Sequence, residues 1–131
     1  MTATDNAGNA TTAADTTNAT VDNQAPTVTA ANISISGASG TGGAFKTGDT
    51  VTATWNNTAG GDNNPDTISA VTVDFSHFGG GATVAAGNSS NTWTATYVIV
   101  GGAIDATNRN VSVTATDNAG NATTSTDDTN A

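Results

Sequence analysis

Eleven consecutive residues, Thr114-Ala-Thr-Asp-Asn-Ala-Gly-Asn-Ala-Thr-Thr124, occur twice in this chain, first at Thr2 to Thr12. The offset is 112 residues (114 − 2), and Asp15, Thr17, Asn18 and Ala19 return at the same offset as Asp127, Thr129, Asn130 and Ala131. A period of that length is a whole domain, not one turn of a solenoid. The chain therefore reads as one complete repeat, residues 24–131, preceded by the tail of another, residues 1–23, as in a tandem array. Met1 stands where the repeat has Val113 and reads as a start residue set at a repeat boundary. Residues 1–23 have almost nothing to bury. They are expected to be disordered alone and to complete the last strand of a preceding domain in an array. Pro26, in Val21-Asp-Asn-Gln-Ala-Pro-Thr-Val28, supplies the stiff turn into the repeat.

About a hundred residues can enclose one core, though not a generous one. The apolar residues are mostly Ala and Val with 5% aromatics, and there is no cysteine, so burial is modest and no disulfide assists it. All eleven acids are Asp, set against Lys46 and Arg109, for a net charge of −9. Asp is a turn former and a hard-oxygen ligand for calcium. The same balance excludes nucleic acid as a partner, because phosphate binding needs clustered Lys and Arg. No run approaches the roughly 20 apolar residues of a membrane-spanning helix.

From Val28 onward the sequence alternates at period two between Gly- and Asn-rich turns. The expected strands are Val28 to Ile35, Asp49 to Trp55, Ile68 to Phe75, a short edge at Ala82 to Ala86, Asn91 to Ile99, Arg109 to Thr116 and a polar last strand, Ala122 to Asp127. About seven short strands predict an all-β, immunoglobulin-like two-sheet β-sandwich without the inter-sheet disulfide of antibody domains. Trp55, Trp93, Phe75 and Tyr97 are its expected core aromatics.

In such a sandwich three acidic segments return to one pole: the linker with Asp22 and Asn23, the loop with Asp62, Asn63 and Asp66, and the turn with Asp117, Asn118 and Asn121. Gathered carboxylates repel unless a cation sits between them, and calcium takes six to eight such oxygens in loose geometry. The bland alternative is that Asp and Asn are here as turn formers bonded to their own backbone. The opposite pole offers a weaker calcium site from Asp105, Asp49 and Asp127 or Asp128. The Asp62–Asp66 loop is not an EF-hand, since it carries Pro65 and lacks that motif's glycine and glutamate.

Nothing resembles a catalytic constellation. His77, the only histidine, sits between Phe75 and Phe78 at a strand end and reads as a surface residue; there is no thiol and no serine motif. Outward threonines in the alternating strands raise the alternative of a glycan- or ice-binding face, although Thr also suits any solvated strand. A carbohydrate module would usually expose a row of aromatics, and none is left if Trp55, Trp93 and Tyr97 turn inward.

The stretches Phe45-Lys-Thr-Gly-Asp-Thr-Val-Thr-Ala-Thr-Trp55, Val111-Ser-Val-Thr-Ala-Thr-Asp-Asn-Ala-Gly-Asn-Ala-Thr123 and Val21 to Val28 resemble the bacterial immunoglobulin-like repeats of giant RTX-type surface adhesins, a group that includes ice-binding adhesins. The resemblance implies an extender: a secreted, non-enzymatic spacer on the bacterial surface, flanked by identical repeats. It also implies calcium at the domain junctions, with Asp22, Asp117 and Asn121 as ligands. The Asp62–Asp66 loop has no counterpart in that pattern and rests on the pole geometry alone. An isolated domain is expected to be a monomer, although residues 1–23 could dock on another copy's sheet.

Overall fold

Period-two alternation puts one side of each strand against a partner sheet, and the inward sets pack into a single core. The computed structural model describes residues 1–129; Asn130 and Ala131, the end of the 24–131 unit and of the repeat identity, lie outside the described residues. In chain order the strands are β1 (Thr2–Thr4), β2 (Ala10–Thr12), β3 (Ile33–Ser36), β4 (Thr50–Asn56), β5 (Ile68–Asp74), β6 (Val84–Ala85), β7 (Gly87–Ser89), β8 (Thr92–Val98), β9 (Ser112–Asp117) and β10 (Ala122–Thr126). β3 to β10 form two antiparallel four-stranded sheets, ordered β3-β4-β8-β7 and β10-β9-β5-β6. That order is the immunoglobulin-like arrangement, with a fourth strand added to the sheet that holds the last hairpin.

The sheets meet through Ile33, Val51, Ala53, Trp55, Trp93 and Ala95 on one side and Val71, Val73, Phe75, Val111, Val113 and Ala115 on the other. Trp55 lies opposite Trp93 in the β4–β8 register, while Ala53 opposite Ala95 leaves room for the facing valines. The Phe75 and Tyr97 rings, 6.1 Å apart between centroids, link the sheets towards the other end.

Three local differences from the sequence reading have physical causes. The first strand starts later: Ala30–Asn32 is a 3-10 turn because the Thr29 and Asn32 side chains are drawn to Asp62, although Val28 still reaches the core. The edge expected at Ala82 to Ala86 is β6 on β5, and a further strand, β7, follows it on β8, so the chain changes sheets around Ala86. β7 is fully exposed and held by backbone pairing alone, so no hydrophobic period announces it. Finally, residues 1–12 are not featureless. β1 and β2 form a hairpin in the register of β9–β10, Thr2 opposite Thr12 as Thr114 is opposite Thr124, with residues 1–21 exposed throughout.

Candidate functional site

Registers fix the two poles. β4 ends, β5 begins and the β9–β10 turn lies at the linker pole; β4 and β9 begin and β5, β8 and β10 end at the far pole. The chain thus enters the sandwich at one end and leaves it at the other.

At the linker pole, residues 22–29 are tied to two loops. The Thr27 N–H donates to Asn64 Oδ1 (2.6 Å), and Asn64 Nδ2 donates back to the Thr27 carbonyl (2.8 Å) and to Asn57 Oδ1 (2.8 Å). Asp62 accepts four hydrogen bonds: at Oδ1 from Thr29 Oγ1 (2.6 Å) and Asn32 Nδ2 (2.8 Å), and at Oδ2 from the Thr29 N–H (3.0 Å) and Trp55 Nε1 (2.6 Å). The loop can turn back this tightly because Gly61 has no side chain; a Cβ there would lie 2.2 Å from the Asn56 carbonyl oxygen.

The β9–β10 turn is built by Asp117. Its Oδ1 accepts the Ala119 and Asn121 N–H groups (2.9 Å each) and its Oδ2 accepts Asn121 Nδ2 (3.0 Å), while Gly120 sits at φ 96°. Asn121 Nδ2 also reaches the Asp22 carbonyl at 3.3 Å, and Asn118 N–H donates to the Thr67 carbonyl at 3.1 Å. The three segments therefore meet, as the fold geometry predicts, but through hydrogen bonds and not through gathered carboxylates. Asp66 and Asn118 point to solvent, and Asp22 is half-buried with Oδ1 accepting the Gln24 N–H.

Burial pushes the Asp62 and Asp117 carboxyls up, but the donors around them prevail and hold both below the ordinary carboxylate range. For Asp62 those donors are Thr29, Trp55 and Asn32; for Asp117 they are Asn121 and the turn's own backbone.

At the far pole Asp49 locks the glycine-rich turn, accepting Ser39 Oγ, the Ser39 N–H (3.0 Å) and the Lys46 N–H (3.0 Å); the Ser39 hydroxyl is the main cause of its lowered pKa. Asp105 is exposed on the β8–β9 loop and accepts no hydrogen bond from another described side chain or backbone group. Asp127 differs. Its N–H donates to the Val111 carbonyl and its Oδ1 accepts Thr129 N–H and Oγ1, but its buried Oδ2 has no partner among the described residues. Asn110, next to Val111, likewise has a buried Oδ1 without a partner among the described residues.

Set against the needs of calcium, the poles separate. The four acceptor positions of the Asp62 carboxylate are filled, and Asp117 keeps one. Among the described residues no three acidic or imidazole side chains stand close enough to hold one metal ion. The chemistry that suits a hard cation, buried oxygens lacking donors among the described residues, is at Asp127 and Asn110.

Asn57, Asn64 and Asn110 escaped the sequence reading. Asn57 had a usable signal, for the inward phase of β4 runs Asp49, Val51, Ala53, Trp55, Asn57, and that of β9 runs Val111, Val113, Ala115, Asp117. A polar residue that continues a strand's inward phase is buried: Asp49 is 8%, Asn57 4%, Asp117 1% and Asp127 2% exposed. Comparison with family models, with curated proteins and with solved structures returns no match, so the functional reading rests on these residues and their geometry.

Proposed function

We propose that this chain is a non-catalytic spacer, one unit of a tandem-repeat bacterial surface adhesin, stiffened by calcium and serving to hold a distal binding module away from the cell. The observation that carries the reading is the path of the chain: it enters at one pole with its linker pinned by Asp62, Asn64 and Asn121 and leaves beside Val111 at the other. Repeats joined this way add length end to end. Hydrogen bonds between linker and loops resist bending at each joint, whereas a free linker would leave a flexible string.

Calcium enters through the far pole. Asp127 and Asn110 would hold it, and the ion would supply the positive charge that two buried acceptor oxygens lack among the described residues. Asp22, Asp66 and Asn118 carry the remaining accessible oxygens at the linker pole. A cation bound only by the folded domain adds about 2.7 kcal/mol at a hundredfold excess over its dissociation constant, a large share of a small domain's stability.

Thermal unfolding in millimolar calcium and then in excess chelator tests the proposal. A melting temperature that falls by several degrees on chelation, and a smaller response in Asp127→Asn, supports it. Identical melts in both conditions would rule calcium out as the stiffener.

A further inference from the structure

The far pole also holds a groove of about 690 Å³, a volume typical of small-molecule sites, between the glycine-rich turn, the 3-10 turn at Ser76–Phe78 and the β8–β9 loop. Phe45 and Phe78, packed edge to face with centroids 5.4 Å apart, line it together with Tyr97, whose hydroxyl donates to the Gly79 carbonyl. Its rim is unusually greasy for so polar a chain: Val100 and Ile104 are 65% and 54% exposed and both face it. The rings that could meet a ligand are therefore not the core tryptophans.

Lys46, His77 and Arg109, the whole basic complement of the sequence, line this one groove. Two of the three are engaged. Lys46 Nζ donates to Ser39 Oγ at 2.6 Å with its charge near Asp49, and the Asp74 carboxyl, held down chiefly by the Ser76 donors, also feels the charge of His77. Arg109 is the exception: its Nε is buried yet has no acceptor among the described residues, in a chain with eleven carboxylates. The rest of the guanidinium also makes no hydrogen bond to a described residue, so at the groove wall it is available to pair with a ligand carboxylate.

We infer that this groove binds a small monocarboxylate carried on a six-membered ring with an apolar face, its carboxylate on Arg109 and its ring against Phe45, Tyr97 and Ile104. A single carboxylate is favoured over a polyanion because the net charge of −9 repels the latter at long range. Asp105, also on the groove wall, is an acceptor for ligand hydroxyls. Sugar acids and aromatic acids share this chemistry and differ in whether they use Asp105.

The test is titration of the isotope-labelled chain with glucuronate, benzoate and glucose, each to about 10 mM, near the weak end of measurable affinity, with backbone amide shifts as the readout. Saturable shifts of Gly79, Gly101 and Gly102 with glucuronate or benzoate but not glucose support the inference. Which acid binds identifies the source, glucuronate for a sugar acid and benzoate for an aromatic one. Arg109→Gln should weaken binding at least tenfold without moving the melting temperature. Should that variant fold poorly, Ile104→Asp, on an exposed side chain, should abolish binding in a folded domain. The inference is overturned if no acid shifts these amides, if glucose shifts them equally, or if neither substitution weakens binding. Concentration-dependent shifts of the same amides without ligand would overturn it too, assigning the groove to a second copy of the chain.

Discussion

The hairpin β1–β2 and the hairpin β9–β10 are the same eleven residues in two settings. Their turns agree bond for bond: Asp5 accepts from Ala7 N–H, Asn9 N–H and Asn9 Nδ2 at 2.9 Å, as Asp117 does from Ala119, Asn121 N–H and Asn121 Nδ2 at 2.9, 2.9 and 3.0 Å. Even the outward threonine pair recurs, Thr2 with Thr12 at 2.9 Å and Thr114 with Thr124 at 2.7 Å. Yet every residue of the first hairpin is exposed, whereas Ala115 and Asp117 of the second are buried. Turn chemistry fixes the local shape, and the neighbouring β5, the facing sheet and the linker decide what is buried. A two-stranded hairpin alone is marginal in water, so the two copies should differ widely in stability while sharing one geometry.

Acid should separate them most. The carboxyls of Asp49, Asp62 and Asp117 are all held below their ordinary value near 3.8 in the folded chain. A depressed folded value means that their stabilisation is fully present above the unfolded value and is lost as pH falls through the folded one. The domain should hold its melting temperature down to about pH 5 and unfold cooperatively below about pH 3. The Asp5 carboxyl, lowered mainly by Asn9, should titrate with shifts confined to residues 5–9. A domain equally stable at pH 2 and pH 7 would contradict this.

Asp62→Asn comes next. The amide can accept on one side only, so two of the four donors at that site would face an NH2 group, a loss of about 2 kcal/mol in chemical denaturation. The same variant should free the linker, seen as faster hydrogen exchange at Thr29. Asp117→Ala should lower the melting temperature by roughly 5 °C, whereas Asp5→Ala should leave it unchanged. Equal effects from those two substitutions would mean that the exposed hairpin is part of the domain after all. Gly120→Ala should destabilise by about 1 kcal/mol because of its left-handed backbone, and Gly8→Ala, at φ 88°, should only fray the first hairpin.

Much of the sandwich was legible because alternation is a strong signal over long strands. Val51-Ala53-Trp55 and Val111-Val113-Ala115 face inward as their spacing predicts. Strands without side-chain pattern, such as β7, were not legible, since only a paired neighbour makes Gly87–Ser89 a strand. The meeting of linker, Asp62 loop and Asp117 turn follows from topology and could be read. What occupies the carboxylates there could not, because Asp62's partners Thr29, Asn32 and Trp55 lie 33, 30 and 7 residues away in sequence. Asp127 and Asp15 occupy equivalent repeat positions, yet only the first is buried. No reading of that local sequence distinguishes them.

The central claim is mechanical: the linker is fixed to the domain it enters, and the chain leaves from the opposite pole. Small-angle scattering of two repeats joined at the natural spacing, in calcium and in excess chelator, tests it most directly. The expected result is a maximum dimension close to twice that of one domain in calcium, with a narrow distribution that broadens and shortens on chelation. A compact or broadly distributed pair in calcium, with chelator making no difference, would contradict it.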